Sequence, residues 1–237
     1  MIEMRNVSVI YDQNISALQS IDLKLEKKRY AIIGQNGSGK STFLQTLVGI
    51  VDMKGEVIID GIVLNDKHLK LIRNKVGLVF QNPDHQLFMS HIYDDLAFGL
   101  INMGLDKEKI NEKIQDIALK LHIDHLLDRS CHKLSGGQKR MAAIASILVM
   151  EPEIILMDEP SSFLDPKSRR EVIQIIKNLD KTLIIATHDL DMALEVSDEV
   201  ILLNEGKVIA VGPTDMILKD KKLLEDNGLE LPFCYQR

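Results

Sequence analysis

Residues 33–42 read IGQNGSGKST, and this stretch decides the fold that the sequence predicts. The apolar run Tyr30–Ile33 leads into it in the manner of a strand, and a helical pattern follows it. Gly34, four further residues and the tripeptide Gly39–Ser41 match the phosphate-binding loop GxxxxGK[ST]. Glycines let backbone N–H groups converge on an anion, and the following helix directs its positive dipole end at the same place. The stretch therefore predicts a phosphate site between a strand and a helix.

The side chains of this loop have definite roles in such a site. Lys40 reaches the β- and γ-phosphates of a nucleotide, and Ser41 offers its hydroxyl to Mg²⁺. The alternative is a bare turn between a strand and a helix, which the lysine-serine pair directly after the second glycine disfavours. The predicted nucleotide contacts in the loop are Gly34, Gln35, Asn36, Gly37, Ser38, Gly39, Lys40, Ser41 and Thr42.

Composition narrows the class of protein. The 237 residues carry a formal net charge of −6, which argues against a general nucleic-acid-binding surface. The two cysteines, Cys131 and Cys234, have neither CxxC nor metal-ligand spacing, which predicts a reducing, cytosolic setting. The N-terminus lacks a signal-peptide pattern, and no apolar run approaches the roughly 18–20 residues that cross a bilayer. If the protein serves a membrane process, we expect another chain to supply the membrane part.

Strand and helix patterns alternate along much of the chain. Apolar alternation over residues 2–9 and 21–25 predicts half-buried antiparallel strands. Continuous apolar runs predict strands buried on both faces of a parallel sheet, at residues 76–80, 154–157 and 183–186. Residues 200–211 predict a hairpin. Because the phosphate loop follows a strand, these patterns indicate an α/β fold with its ligand at the carboxyl edge of the sheet.

The stretch from about 82 to 150 interrupts this alternation and predicts a helical subdomain inserted between sheet strands. Residues 82–104 look loop-like, and residues 106 to about 127 predict one helix. His122 and His125 lie near its end, but no acidic or cysteine cluster accompanies them, which disfavours a metal site. We therefore expect a single domain over residues 1–237, with a core at 1–81 and 151–237.

The sequence LSGGQ, at residues 134–138, predicts the start of another helix. Ser135 and Gln138 have the capping-box spacing S-x-x-Q, so a helix beginning at Ser135 needs no functional explanation. Gly136 and Gly137 are harder to explain structurally, since each glycine costs about 1 kcal/mol against alanine inside a helix. That cost is understandable if a ligand must approach the backbone there.

Two acidic residues follow the buried strand at 154–157. Nucleotide hydrolysis needs Mg²⁺ held against the phosphates and a group that positions the attacking water. Asp158 is the candidate for the metal, through its water shell, and Glu159 is the candidate for the water. Such a pair is a weak signal alone and a strong one downstream of a phosphate loop.

Tyr11, an aromatic residue in a stretch that looks like a polar loop, is a candidate for stacking on the base. Such stacking contributes ~1–3 kcal/mol in single-strand binders. The alternative is a surface aromatic residue that packs locally.

LSGGQ, with GQNGSGKS before it and ILMDEP after it, makes the chain resemble the ATP-binding subunits of ABC transporters over nearly its whole length. The resemblance implies a P-loop NTPase with a RecA-like core sheet, an N-terminal antiparallel β part and an inserted α-helical subdomain, with ATP and Mg²⁺ as cofactors. The family's elements occur in its order: Tyr11 at the adenine-stacking position, Gly34–Thr42 as Walker A, Gln81 as the Q-loop glutamine, Leu134–Gln138 as the signature, Ile154–Glu159 as Walker B, Leu164 and Asp165 in the D-loop, and His188 as the switch histidine.

The resemblance also implies a head-to-tail sandwich of two ATPase subunits, as a homodimer or a heterodimer. Ser135–Gln138 of one chain would bind the nucleotide held by the other, and Asp165 would contact the partner chain. His188 would contact the γ-phosphate and hold the water of Glu159. Gln81 would act both as a metal ligand and as a catalytic residue. It would also link the site to the helical subdomain, where a membrane subunit docks. One monomer alone would be close to inactive.

Three further stretches are similar to the ATPases of cobalt-, nickel- and vitamin-importing energy-coupling-factor systems: QNPDHQLF at 81–88, DDLAFG at 94–99 and GLELPF at 228–233. This similarity implies a peripheral subunit on the cytoplasmic face of the cell membrane that works with separate integral membrane subunits. Two residues depart from the family pattern. Phe163 stands in the D-loop where small residues usually sit, and Met141 stands where arginine is common.

Two other functions stay open as alternatives. A soluble ABC-type ATPase acting outside transport often carries two ATPase units in one chain or a large coiled insertion, and the sequence has neither. A nucleotide-binding regulatory module without turnover would be expected to lack Glu159 or His188, and both are present. The transported solute and the identity of the partner chains do not follow from the sequence.

Overall fold

The computed structural model describes residues 1–12, 15–26 and 28–236, which divide into two compact units. The sheet unit contains Met1–Leu78, Ile154–Glu159 and the residues from Asp180 onward. The helical unit contains Val79–Glu153 and Pro160–Leu179. The predicted boundaries of the helical subdomain, about residues 82 and 150, stay a prediction. The helical unit of the structure also contains residues 160–179, which were predicted to belong to the core.

The strands lie mainly in the sheet unit and the longer helices mainly in the helical unit. The strands are β1 (Ile2–Tyr11), β2 (Ile15–Leu25), β3 (Arg29–Ile33), β4 (Lys54–Ile59), β5 (Ile62–Val63), β6 (Val76–Val79), β7 (Ile154–Asp158), β8 (Thr182–Ala186), β9 (Glu199–Asn204) and β10 (Lys207–Pro213). The helices are α1 (Lys40–Leu47), α2 (Leu69–Lys75), α3 (Ile92–Asn102), α4 (Lys107–Lys120), α5 (Gly136–Leu148), α6 (Pro166–Asn178), α7 (Leu190–Val196), α8 (Thr214–Lys219) and α9 (Lys221–Asp226). None of the helices described is long and apolar enough to cross a membrane.

An antiparallel sheet forms the N-terminal β part, in the order β2-β1-β4-β5. The predicted alternation of β1 is confirmed, since Ile2, Met4, Val7 and Val9 are all buried. The pairing of β1 with β2 shifts register between Met4 and Val7. This irregularity returns the apolar residues to the buried face where the sequence pattern slips, because a strand's side chains alternate strictly between faces.

The second sheet is largely parallel and has the order β10-β9-β3-β8-β7-β6. Strand β3 runs parallel to β8 and β9, and β7 runs parallel to β8. Every residue of β7 and β8 is buried, as their continuous apolar runs predict. The predicted hairpin is also confirmed, with β9 antiparallel to β10. The carboxyl ends of β3, β7 and β8 therefore meet at one edge, where α1 packs against β7 and β8.

The helical unit corrects two expectations. The prediction that residues 82–104 are loop-like is wrong, because α3 occupies Ile92–Asn102. Its buried residues Ile92, Leu96 and Leu100 are spaced by four, which is the period of one helix face. The helix predicted for 106 to about 127 ends at Lys120, since His122 adopts a left-handed φ of 57° that a right-handed helix cannot contain.

The predicted starts of α5 and α6 are confirmed. Ser135 and Gln138 form the complete capping box of α5. Asp165 caps α6, and the proline after it occupies the first turn of that helix. Both helix starts thus follow from local sequence alone.

Candidate active site

Two glycines of the phosphate loop are required by close backbone approaches. Gly39 has a φ of 103° at the start of α1, and a Cβ there would lie 2.4 Å from the carbonyl oxygen of Ala17. A Cβ on Gly34 would lie 2.2 Å from the carbonyl oxygen of Leu203. No side chain fits at either distance, so only glycine lets the loop lie this close to the backbone of β2 and β9.

Lys40 lies in the first turn of α1 and is 6% exposed. Its Nζ donates hydrogen bonds to the carbonyl oxygens of Gly34 at 2.8 Å and Gln35 at 3.0 Å. Burial lowers the pKa of Lys40, whereas the nearby carboxylates of Glu159 and Asp158 act in the opposite direction and raise it. The loop therefore holds a cation next to two acidic groups, the arrangement that phosphate oxygens and a metal ion need.

Tyr11 stands at the edge of this loop. The prediction that it lies in a polar loop is wrong, because it is the last residue of β1 and pairs with Ile15. Its hydroxyl lies 3.2 Å from Oγ1 of Thr42 in α1, while the residue as a whole is 40% exposed. One end of the side chain is therefore fixed and the residue remains accessible, which suits stacking on a planar ligand.

Glu159 directly follows β7 and is fixed at both carboxylate oxygens. His188 contacts Oε1 through its backbone N–H at 3.0 Å and its Nδ1 at 2.8 Å. The hydroxyl of Thr187 donates to Oε2 at 3.2 Å. Glu159 itself has a φ of 45°, a left-handed conformation that is uncommon for residues other than glycine. The structure thus brings two predicted site residues, Glu159 and His188, into direct contact.

Thr187 is a functional candidate that the sequence reasoning missed. It is fully buried, and its hydroxyl also accepts a hydrogen bond from the backbone N–H of Asp189. The available signal was its position at the end of the buried strand β8, directly before His188. A polar residue there lies at the ligand edge of a parallel sheet.

In the helical unit, residues of LSGGQ form hydrogen bonds with one another that cap the N-terminus of α5. The backbone N–H of Ser135 donates to Oε1 of Gln138 at 3.0 Å, and the backbone N–H of Gln138 donates to the Ser135 hydroxyl. The two glycines differ in their surroundings. A Cβ on Gly136 would meet no atom within 4 Å, whereas one on Gly137 would lie 2.4 Å from Oγ of Ser168 in α6. Gly136 is thus open, and Gly137 permits the close packing of α5 against α6.

Asp165 holds the start of α6 through Ser168. Its carboxylate accepts hydrogen bonds from the Ser168 hydroxyl at 2.6 Å and from two backbone N–H groups. The Ser168 hydrogen bond is the main reason that the pKa of Asp165 lies below its ordinary value. The D-loop aspartate therefore has a structural role as a helix cap in addition to the partner contact predicted for it.

Gln81 is exposed, and its backbone is held by a residue that the sequence reasoning did not select. The Arg140 side chain is 1% exposed and donates to the carbonyl oxygens of Phe80 at 2.8 Å and Gln81 at 2.6 Å. Gln86 adds a second brace, since it accepts from the Phe80 N–H and donates to the Ala143 carbonyl. Arginine in an amphipathic helix usually lies on the solvated face, so the sequence pattern gave no sign of this burial.

The predicted residues thus collect in two groups. The sheet unit brings the phosphate loop, Tyr11, Asp158, Glu159 and His188 to one sheet edge. The helical unit brings Gln81 and Gly136 to a cavity of about 570 Å³, whose wall also includes Arg140 and Phe163. Among the residues described, no group of three His, Cys, Asp or Glu side chains is arranged to hold a metal ion, and this includes the surroundings of His122 and His125.

A phosphate loop follows the central parallel strand β3, and an acidic residue ends β7, which is separated from β3 by β8 alone. This arrangement defines a P-loop nucleotide hydrolase. The family model described as ABC transporter matches residues 18–162. The chain belongs to the ABC transporter family of ATP-binding proteins, and it is an ATPase of the kind whose hydrolysis of ATP powers transport.

Individual relatives agree with this assignment. The chain is 44% identical over 236 residues to the energy-coupling factor transporter ATP-binding protein EcfA of Carboxydothermus hydrogenoformans, covering 98% of this chain and 87% of the relative. It is 42% identical to EcfA1 of Mycoplasmopsis synoviae, over 100% of this chain and 91% of the relative. Among solved structures, cbiO1 of Clostridium perfringens, part of the ABC transporter complex cbiONQ, has a TM-score of 0.82 and 34% identity, with 95% and 93% of the two chains covered.

A second solved structure is the dimeric ATP-binding cassette MJ0796 bound to ADP and Pi. It has a TM-score of 0.82 and 29% identity, over 90% of this chain and 99% of that one. The predicted α/β P-loop fold is thereby confirmed.

Proposed function

We propose that the chain is the ATP-hydrolysing subunit of an importer of the energy-coupling-factor type. It couples ATP binding and hydrolysis to uptake of a metal ion or vitamin through separate integral membrane subunits, on the cytoplasmic face of the membrane. The observation that carries this proposal is the 44% identity, across 98% of the chain, to an energy-coupling factor transporter ATP-binding protein. The full-length match to cbiO1 supports the same class of complex.

Hydrolysis is assigned to Glu159 and its two neighbours. The attacking water bonds to the γ-phosphorus, the bond to the bridging oxygen of ADP breaks, and Glu159 accepts the proton of the water. Thr187 and His188 hold the carboxylate at 3.2 Å and 2.8 Å, so its orientation is set before the substrate arrives. The His188 side chain is 58% exposed, which leaves its ring available to the γ-phosphate.

Magnesium is the metal that the family implies, and the donor set fits it. Mg²⁺ prefers oxygen ligands, and Asp158 offers a carboxylate and Ser41 a hydroxyl in the sheet unit. Gln81, the third residue predicted for the metal, belongs to the helical unit, and its role as a ligand stays a prediction. The ion, when bound, offsets the negative charge that the phosphates bring to this site.

A complete site is proposed to need two chains. Ser135–Gln138 form the N-terminus of the 13-residue helix α5, where backbone N–H groups attract an anion. The open surroundings of Gly136 leave room for a phosphate there. Asp165 and Phe163 of the D-loop are the proposed contacts with the partner, and Phe163 is 94% exposed. The dimeric structure of a related cassette supports this arrangement.

Substitution of Glu159 tests the catalytic assignment. We expect Glu159→Gln to bind ATP, to lose turnover and to accumulate as an ATP-bound dimer. Glu205→Gln is the matched control, because Glu205 has the same φ of 45° but is an exposed residue of the β9–β10 turn. Hydrolysis by the Glu159→Gln variant at the wild-type rate would refute the role of Glu159.

A second variant tests the site shared between chains. Ser135→Arg should abolish hydrolysis and keep ATP binding by the monomer, because the proposed primary contacts lie in the sheet unit. Loss of monomer binding would refute the shared site.

Association with membrane subunits separates the proposed function from the soluble alternative. A tagged chain purified from its native membranes should carry integral membrane proteins with it. Recovery of the active ATPase without any membrane protein would favour an ABC-type ATPase that acts outside transport.

A further inference from the structure

A turn at Asn227-Gly228, which we name the C-terminal turn, lies against the phosphate loop within the sheet unit. Nε2 of Gln35 donates to the carbonyl oxygen of Gly228 at 3.0 Å, although the two residues are 193 positions apart. Gly228 has a φ of 67°, and a Cβ on it would lie 1.4 Å from Nε2 of Gln35. A larger residue would therefore be strained and would displace the Gln35 side chain.

Gln35 is also central to the loop through its backbone. Its carbonyl oxygen accepts a hydrogen bond from Nζ of Lys40 at 3.0 Å and another from the backbone N–H of Ser38 at 3.1 Å. The residue whose side chain is anchored by the C-terminal turn is thus one that holds the candidate phosphate-binding cation. A displacement of Gln35 would therefore change the hydrogen bonding of Lys40 directly.

A second set of contacts joins the same turn to the other flank of the loop. Nδ2 of Asn204 donates to Oδ1 of Asn227 at 3.0 Å, and Nδ2 of Asn227 donates to the carbonyl of Leu223 in α9 at 2.9 Å. Asn204 ends β9, and two residues later the N–H of Gly206 donates to the carbonyl of Ser38 at 3.0 Å. The loop is consequently tied at two of its residues to one connected set of turns.

The C-terminal turn has a firm base. Leu229, Leu231 and Tyr235, which follow it, pack against a buried cluster that includes Ile33 and Leu202. Ile33 is the last residue of β3 and directly precedes the phosphate loop. The turn and the loop therefore rest on the same part of the sheet, and a well-packed core transmits small displacements between them.

We propose that the C-terminal turn is a positioning element of the nucleotide site, acting through Gln35 to fix the phosphate loop and Lys40 before the ligand binds. This inference rests on the proposed function only in that the loop binds a nucleotide. Because coupling between two sites is reciprocal, nucleotide binding also stabilises the turn.

Gly228→Ala and Gly61→Ala form a matched pair for the test. Gly61 has a φ of 79°, and a Cβ on it would meet no atom within 4 Å, so both variants place alanine in a left-handed conformation but only one displaces Gln35. We expect Gly228→Ala to weaken ADP binding about three- to tenfold, the value of one hydrogen bond. Gly61→Ala should bind ADP as the wild type does. Equal ADP affinity in Gly228→Ala and Gly61→Ala would overturn the proposal, as would a loss of affinity that follows Tm in both.

A double-mutant cycle tests whether Gln35 carries the effect. Gln35→Ala removes the same contact, so the double variant with Gly228→Ala should bind ADP no more weakly than the worse single variant. Losses that add would overturn the route through Gln35. Amide exchange at Leu229, whose N–H donates to the Leu224 carbonyl, should slow with ADP in the wild type and change little in Gln35→Ala. A wild-type chain that binds no ADP would instead refute the proposed function.

Discussion

Substitution of Phe163 by glycine should leave the monomer as stable or more stable, but should weaken the proposed dimer. It has a φ of 62° and is 94% exposed, so the isolated chain holds an apolar ring in water on a strained backbone. A left-handed conformation costs a residue with a Cβ about 1–2 kcal/mol. Glycine relieves that strain but loses roughly 0.5–1 kcal/mol more in conformational entropy. Phe163→Gly should therefore leave the Tm of the monomer unchanged or raise it by up to about 6 °C.

The same substitution should weaken the proposed ATP-dependent dimer, in which Phe163 is a proposed contact with the partner. Full burial of a phenylalanine side chain contributes about 1.5–3 kcal/mol, so a homodimer that buries two should lose roughly 3–6 kcal/mol. This corresponds to about a 10²- to 10⁴-fold weaker dimer. The assay is sedimentation of the Glu159→Gln protein with ATP, with and without Phe163→Gly. Phe163→Leu is the control, because it keeps the strain and most of the apolar surface. A dimer of the Glu159→Gln protein that is equally strong with and without Phe163→Gly would refute this reasoning.

Four further predictions concern the helical unit. Gly136→Ala should raise Tm by a few degrees, because alanine is about 1 kcal/mol better in a helix. It should nevertheless reduce ATPase activity, because its Cβ would obstruct the phosphate that is proposed to bind in the open space there. Gly137→Ala should lower Tm, because its Cβ collides with Ser168; thermal melts and ATPase rates distinguish the two. Arg140→Met removes two charge-assisted hydrogen bonds, so it should lower the free energy of unfolding, measured in urea, by about 2–4 kcal/mol. Arg140→Lys should not restore the lost stability, because lysine cannot reproduce the planar fork of the guanidinium group. Burial raises the pKa of Asp95, so the wild type should gain stability relative to Asp95→Asn as pH falls from neutrality through that pKa, in paired melts. A difference that grows as pH rises would contradict this sign.

The parts of the site that sequence predicted are those encoded by short-range chemistry. The capping residues Ser135 and Asp165 act through neighbours a few positions away, and the glycines of residues 34–39 recur at the fixed spacing of the phosphate loop, so spacing alone identifies both sets. The close contacts of Gly34 with Leu203 and of Gly39 with Ala17 came only from the structure. Strands β7 and β8 were equally clear, because burial on both faces leaves an unbroken apolar run.

The parts that sequence missed depend on contacts between distant residues. Arg140 and Gln86 reach across the helical unit to the backbone of Phe80, and no local pattern marks a charged or polar side chain for burial. Helix α3 was missed for a different reason. Its apolar residues have helical spacing, but the preceding turn signal at 82–84 and Gly99 within the helix weakened that pattern.

Helix α5 connects Ser135, the backbone of Gln81 and helix α3 within the helical unit. Its 13 residues span about 20 Å, and Ser135 caps its N-terminus. Arg140, in the second turn of the helix, donates a hydrogen bond to the carbonyl oxygen of Gln81. Just beyond its other end, Met150 packs on Gly99 of α3, where a Cβ would lie 2.3 Å from the methionine sulfur. Because an α-helix is stiff over this length, we expect any displacement at Ser135 to move the Gln81 backbone and α3 together.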